Sequence, residues 1–251
     1  MKRLELIGIE GLGDVRAGDS VGALICEACS RQNISLAAAD VVVIAHKIVS
    51  KAEGRMVCLD QVQPSARAVA LARELDKEPA LIEVILRESR GVVKTGGRAL
   101  IVETHHGFIC ANAGVDQSNV GLNQVALLPE DPDGSAREIQ REIHRRTGEN
   151  PAVIISDSFG RPWRVGTVDV AIGIAGLKPI KDERGMRDLY GYQLKAAVAA
   201  IADEIAAAAE LVMGKKDGVP VVIVRGCEIE KEEGSVRELL RPEAEDLFRH
   251  F

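Results

Sequence analysis

Short apolar runs bounded by turn residues recur along the chain and suit buried strands. Asp40–Ile44 (DVVVI), Ala152–Ile155 and Pro220–Val224 are the clearest, and Val168–Ile174 is a fourth, interrupted by glycine. The first 60 residues read as strand, turn, helix, strand, turn, with basic residues gathered after the second strand in AHKIVSKAEGR. Spacing of apolar positions predicts helices over about Ala66–Leu75 and about Pro79–Ser89. The second has Leu81, Val84 and Ile85 on one face. Ala99–Val102 and Gly107–Ala111 read as paired strands around Thr104-His105-His106, and Pro129–Gly134 as a loop. Ser135 is the expected N-cap of a polar helix reaching about Thr147. A long alanine-rich helix is expected over Leu194–Met213, and the charged C-terminal tail reads as another. No repeat of solenoid length and no long linker is visible. Strands and helices mix without a regular βαβ rhythm. The expected class is therefore α+β, or irregular mixed α/β, in one unit over residues 1–251 with room for two subdomains.

Composition narrows the function. Against 32 Lys+Arg stand 38 Asp+Glu, a formal net charge of −6, which argues against general nucleic-acid binding. Aromatic residues are only 3%, so platforms for stacking bases are scarce. No stretch reaches 18 apolar residues, so no membrane span is expected. The opening MKRLELIGIEG has no signal-peptide core, and the expected location is the cytoplasm. The five cysteines (Cys26, Cys29, Cys58, Cys110, Cys227) are odd in number and scattered, which disfavours a disulfide framework. Cys26 and Cys29 spell C-x-x-C, but they share a helical face and no second pair completes a zinc set, so core packing is expected.

There is no P-loop, no strand-linked G-x-G-x-x-G and no H-E-x-x-H. Three other segments carry chemistry. Cys110–Gly121 (CANAGVDQSNVG) offers Asn112, Asp116, Ser118 and Asn119 among small residues. Ser156–Gly166 (SDSFGRPWRVG) places Asp157 at a strand end, where open sheets put ligand-binding groups, with Arg161 and Arg164 nearby. Met213–Pro220 (MGKKDGVP) follows the long helix with Lys215 and Lys216, which suit either phosphate or the helix dipole. His46, Lys47 and Lys51 add a further cationic group, and one of His105 and His106 is expected to line a site while the other packs. Separated acids and basic loop ends fit a hard cation that shares substrate phosphates. Residue chemistry alone stops at a cytosolic enzyme handling phosphorylated or acidic small molecules with a divalent metal.

Five stretches go further: VSKAEGR (49–55), ETHHGFICANAGVDQSNVG (103–121), ISDSFGRPWRVGTVDVAIGIAG (155–176), DLYGYQLK (188–195) and AAELVMGKKDGVPVVIVRG (208–226). In these the sequence resembles the coenzyme F420-0:L-glutamate ligase family, also called F420-0:γ-glutamyl ligase. The resemblance implies GTP-dependent addition of L-glutamate to the deazaflavin precursor F420-0 through an acyl phosphate, giving GDP and phosphate. It implies Mg²⁺ or Mn²⁺, stimulation by K⁺, and an intertwined homodimer with a family-specific fold that is not a P-loop domain. By motif, Asp116 and Asp157 resemble ligands of one metal and Ser158 a ligand of a second. The Gly11-Leu12-Gly13-Asp14 turn, His46, Lys47, Lys51 and Asn119 resemble nucleotide contacts. So does the loop Met213, Gly214, Lys215, Lys216, Asp217, Gly218, Val219, Pro220. Lys215 departs from the family pattern, which expects an oxygen ligand of the Gln type; an ammonium has no acceptor. Either the second metal is bound differently or Lys215 takes over part of its charge. Arg161 and Arg164 are candidates for holding an acidic substrate. Two alternatives stay open: a related ligase acting on another carboxylate, and a deazaflavin or nucleotide carrier without turnover.

Overall fold

A computed structural model describes residues 2–248. In chain order it contains β1 (Glu5–Ile9), α1 (Val21–Arg31), β2 (Val41–Ala45), α2 (His46–Ala52) and β3 (Met56–Cys58). Then come α3 (Ala66–Leu75), α4 (Pro79–Arg87), β4 (Ser89–Gly96), β5 (Ala99–Thr104), β6 (Ile109–Ala111) and β7 (Gln124–Ala126). The remainder is α5 (Pro132–Thr147), β8 (Ala152–Arg161), β9 (Arg164–Ala175), β10 (Lys181–Asp182), β11 (Val198–Ala199), α6 (Ile201–Met213) and β12 (Val221–Arg225). The class is mixed α/β, as the sequence predicts.

A five-stranded sheet in the order β1-β12-β2-β8-β9 forms the centre. Only β2 and β8 run parallel; the other neighbours are antiparallel. The strands β2, β8 and β12 are nearly continuous apolar runs because they are covered on both faces, α5 packing on β8 and β9 and α6 on β9, β12 and β1. Fully buried Val41–Ile44, Ile154, Ile155 and Val221–Ile223 make the core of this layer. A second apolar cluster, including Leu75, Ile82, Ile85, Leu100 and Val102, gathers α3, α4 and the meander β4-β5-β6. Gly173 marks the closest approach of α5: a Cβ there would stand 2.4 Å from the Pro132 carbonyl oxygen.

Several boundaries differ from the sequence reading, each for a tertiary reason. The alanine-rich helix begins at Ile201 rather than Leu194, because Val198 and Ala199 pair with β10 and the Asp203 carboxylate accepts the Ala171 N–H of β9. Ser135 is not the N-cap of α5. Asp131 caps it, accepting the Gly134 N–H, and Pro132 opens the first turn. Asp157 is not at a strand end, since β8 runs on to Arg161 in a long hairpin with β9. The basic stretch after β2, which carries no helix signal of its own in the sequence, forms α2. Where a tail helix was expected, the described residues hold two 3₁₀ turns, Val236–Leu239 and Glu243–Glu245; residues 249–251 lie outside the description.

One buried acid ties these layers together. Asp133, in the first turn of α5, accepts the Ile174 N–H of β9 at 2.8 Å, the Ser235 hydroxyl at 2.7 Å and the Val236 N–H at 3.3 Å. Asp133→Ala strands two buried N–H donors, each costing about 1–3 kcal/mol. We expect a loss of about 2–4 kcal/mol in urea unfolding, with a smaller loss for Asp133→Asn, which keeps one acceptor. A loss near zero in the alanine variant would show that these donors find other partners.

Candidate active site

Strand β2 passes into α2 without a loop, Ala45 being the N-cap residue of the helix. In the parallel pairing Ala45 stands opposite Ser156, which brings His46 beside Asp157. His46 Nε2 lies 3.4 Å from Asp157 Oδ1. One turn on, the Ser50 hydroxyl donates to the His46 carbonyl at 3.1 Å, so the ring Nδ1, 3.3 Å away, donates to Ser50 Oγ. The imidazole is thereby turned with Nε2 toward the acid. Asp157 also accepts the Ser158 N–H at 2.7 Å.

Asp116 arrives from a different part of the chain. Its backbone forms an isolated bridge with Ala126, fixing the loop against the end of β7. The carboxylate accepts the Ser118 N–H at 2.7 Å and the Ser118 hydroxyl at 3.1 Å, and the Lys47 ammonium stands 2.9 Å away. Lys47 also donates to Ser118 Oγ at 2.8 Å. Lys51, one turn along α2, pairs with Asp14 at 3.2 Å. After α6 the chain turns at Gly214 in the left-handed region (φ +54°), which a glycine accepts without a Cβ clash. Asn119 then donates to the Lys215 carbonyl at 3.1 Å, and the Lys215 ammonium sits on Ser158 Oγ.

These groups share one open cavity of about 290 Å³. Of the residues singled out in the sequence, Gly13, His46, Lys47, Lys51, Asp116, Asn119, Asp157 and Ser158 line it, with Met213–Lys216 and Gly218–Pro220. Gly11, Leu12, Asp14 and Asp217 flank it without lining it. Gly11 accepts from Arg31 through its carbonyl and Leu12 is buried in the core. Arg161 and Arg164 stand outside the lining, at the Pro162-Trp163 tip of the β8–β9 hairpin, where Arg161 donates to the Val165 carbonyl. Neither histidine of the pair lines the cavity. His105 and His106 occupy a turn and hydrogen-bond to the carbonyls of Arg87 and Pro129 through their Nε2 atoms. Asn112 is engaged by Lys77 at 2.7 Å.

The structure adds one residue the sequence reading passed over. Asp169 of β9 lines the cavity, is 5% exposed, and accepts hydroxyls from Ser156 (3.0 Å) and Ser158 (2.5 Å). An acid in the apolar run Val168–Ile174 was the available signal.

The electrostatics follow from this packing. Burial pushes the Asp157 carboxyl above the usual carboxylate range. The nearby His46 opposes that rise, and the charges of Asp169 and Asp116 add to it. Burial would raise Asp116 too, but the Ser118 N–H and Lys47 outweigh it and hold that carboxyl below the usual range. Four acids, Asp116, Asp157, Asp169 and Glu210, therefore line a cavity rimmed by lysines. Among the described residues no group of three or more His, Cys, Asp or Glu side chains forms a ready cage for a metal ion. Two carboxylates and a hydroxyl oxygen nevertheless suit a hard cation that completes its shell with substrate phosphates and water. Cys110 is no nucleophile, its buried thiol being pushed up to about 12. All five cysteines are free, and Cys29 packs in the core.

The family model described as F420-0:Gamma-glutamyl ligase matches residues 11–226. A coenzyme F420:L-glutamate ligase of Methanothermobacter thermautotrophicus is 49% identical over 98% of this chain and 99% of its own. Those of Methanopyrus kandleri and Methanocaldococcus jannaschii are 46% and 42% identical, each over at least 97% of both chains. No helix among the described residues is long and apolar enough to cross a membrane.

The raised Asp157 carboxyl gives a stability test. Below the unfolded-state value both folded and unfolded chains hold the proton, and the group contributes nothing. As pH rises, the unfolded chain releases its proton first, so the folded state loses stability until the folded value is passed. Asp157→Asn should therefore raise the melting temperature of chelator-treated protein at pH 7. The gain should shrink toward pH 4. Melts at both pH values check this, and an equal gain at both would remove the carboxylate charge as the cause.

Proposed function

Because the chain belongs to the F420-0:gamma-glutamyl ligase family, we propose that it joins L-glutamate to the deazaflavin precursor F420-0, using GTP with Mg²⁺ or Mn²⁺ and K⁺. The chain is a ligase, and its relatives carry that activity in their names. The observation that carries the reading is the convergence of Asp116, Asp157 and Ser158 with Lys47, Lys51, Lys215 and Lys216 on one cavity.

The chemistry needs such a combination. A carboxylate does not expel oxide when an amine attacks it. Transfer of the γ-phosphoryl to the carboxylate oxygen breaks the bond to the β-phosphate and gives GDP and an acyl phosphate. The glutamate amine then attacks that carbonyl, phosphate leaves, and the amine gives up a proton. Lys47 and Lys51, both on one side of α2, and the loop after α6 suit the nucleotide phosphates. Asp116 and Asp157 would hold one divalent ion and Ser158 a second, and such ions would supply positive charge to offset that on the transferred group. Lys215, resting on Ser158, brings a fixed positive charge to the same place, in keeping with its taking over part of a second metal's role. Arg161 and Arg164 remain candidates for an acidic substrate, reaching it from the hairpin tip.

A homodimer is part of the proposal. The excursion between β10 and β11 carries Leu189 at 99%, Tyr190 at 95% and Met186 at 58% exposure, and the β8–β9 tip carries Trp163 at 87%. Large apolar side chains grouped on protruding hairpins are what a subunit interface covers. Light scattering should give twice the 26.9 kDa chain mass, and Tyr190→Glu should lower that mass and activity together. A fully active monomer at assay concentration would remove the dimer from the reading.

Mass spectrometry after incubation with GTP, glutamate and F420-0 tests the activity, with added glutamyl units as the expected product. Asp116→Asn and Asp157→Asn should each slow turnover by about a hundredfold or more, several kcal/mol of transition-state stabilisation. The double variant should be scarcely slower than either, since the two acids act as one unit. Nucleotide binding without product would favour a carrier, and normal turnover in a single variant would mean that the acids hold no shared catalytic ion.

A further inference from the structure

We propose that Asp169 is a positioning residue of this cavity: it fixes the Ser158 hydroxyl so that only oxygen lone pairs face the ligand, making that serine a cation-holding group. The inference rests on the metal-dependent reading above and goes beyond it, naming a residue that acts through another.

Ser158 Oγ has one hydrogen and two acceptor sites. It stands 2.5 Å from Asp169 Oδ1, and Ser156 Oγ stands 3.0 Å from Asp169 Oδ2. A carboxylate only accepts, so both serines spend their hydrogen on it. What Ser158 turns to the cavity is then purely negative. The Lys215 ammonium already takes one of its lone pairs, leaving the other for a second cationic partner. A serine free to rotate would have to be oriented by the cation itself, whereas this one is already turned with its lone pairs toward the cavity.

Folding gives no other reason for an acid at this position. Asp169 pairs across the sheet with Ser158, on the stretch of hairpin that borders the cavity. Among the described residues no Lys, Arg or His forms an ion pair with it, and a buried charge without one is costly. Two serines in a strand can be satisfied by backbone carbonyls or by each other. Outer partners of this kind commonly govern metal affinity by 10–100-fold.

The test uses the full-length protein, Mn²⁺ titrated in the presence of GDP and followed by the electron paramagnetic resonance of the free ion, with melting temperatures in chelator. An amide at position 169 accepts from one serine but donates to the other, so Asp169→Asn lets the Ser158 hydrogen turn to the cavity. We expect Mn²⁺ affinity to fall about 10–100-fold. Ser158→Ala should do the same, and the Ser158→Ala/Asp169→Asn double variant should bind no more weakly than Ser158→Ala alone. Unchanged Mn²⁺ affinity in Asp169→Asn, or losses that add in the double variant, overturns the inference and leaves the metal reading standing. If Asp169→Asn does not fold, unchanged affinity in Ser158→Ala overturns it equally, since Asp169 would have nothing to act through. Wild-type protein that retains no Mn²⁺ refutes the metal reading itself, and the inference with it.

Discussion

The register of one parallel strand pair governs this molecule. Placing Ala45 of β2 opposite Ser156 of β8 sets the start of α2 against the Asp157-Ser158 dipeptide. A shift of one residue would turn the Asp157 side chain to the other face of the sheet, since successive strand side chains alternate. That register is enforced by burial. Val41–Ile44 and Val153–Ile155 are fully buried, so any slip would disturb the core on both faces at once. The chemistry of the site is thus held by the most apolar part of the chain.

Around that anchor the cavity balances charge instead of neutralising it pair by pair. Lys47 is drawn to Asp116 and Ser118, His46 to Asp157, and Lys215 to Ser158. Asp169 is buried and Asp157 nearly so, and among the described residues no lysine or arginine forms an ion pair with either. In water such charges would be hydrated; here hydroxyls and backbone N–H groups replace the water. Dipoles fixed in this way need little reorganisation when charge shifts beside them. Burial of the Asp157 carboxylate, whose proton is held more tightly than usual, lowers the stability of the fold at neutral pH.

Burial also separates the parts of the molecule that face inward from those that face solvent. The sheet core is closed, whereas the β8–β9 tip and the β10–β11 excursion extend large apolar side chains into solvent. The same hairpin carries Asp157, Ser158 and Asp169 at its base and Arg161, Trp163 and Arg164 at its tip. Between the acids and the tip the β8–β9 ladder has one irregularity, between Gly160 and Arg161.

Local pattern was enough for elements whose partners are generic. The apolar runs at Val41–Ile44, Ala152–Ile155 and Val221–Val224 are strands in any fold that buries them, and α3 and α4 follow from their own periodicity. Motif resemblance located Asp116, Asp157, Ser158, Asn119 and the loop after α6, and the fold brings all of them to one cavity. Long-range pairing decided the rest. Leu194–Ala200 has helical composition, but β10 claims Val198 and Ala199 and β9 fixes the first turn of α6 through Asp203. Ser135 has the chemistry of a cap, yet Asp131 reaches the free N–H first. Asp157 was expected at a strand end because its polar neighbours look like a loop, whereas a partner strand with its own polar residues at Thr167 and Asp169 lets the ladder continue. Asp169 itself could not be assigned from its own segment: the two serines that give it a role lie 11 and 13 residues away in sequence and meet it only when the hairpin closes.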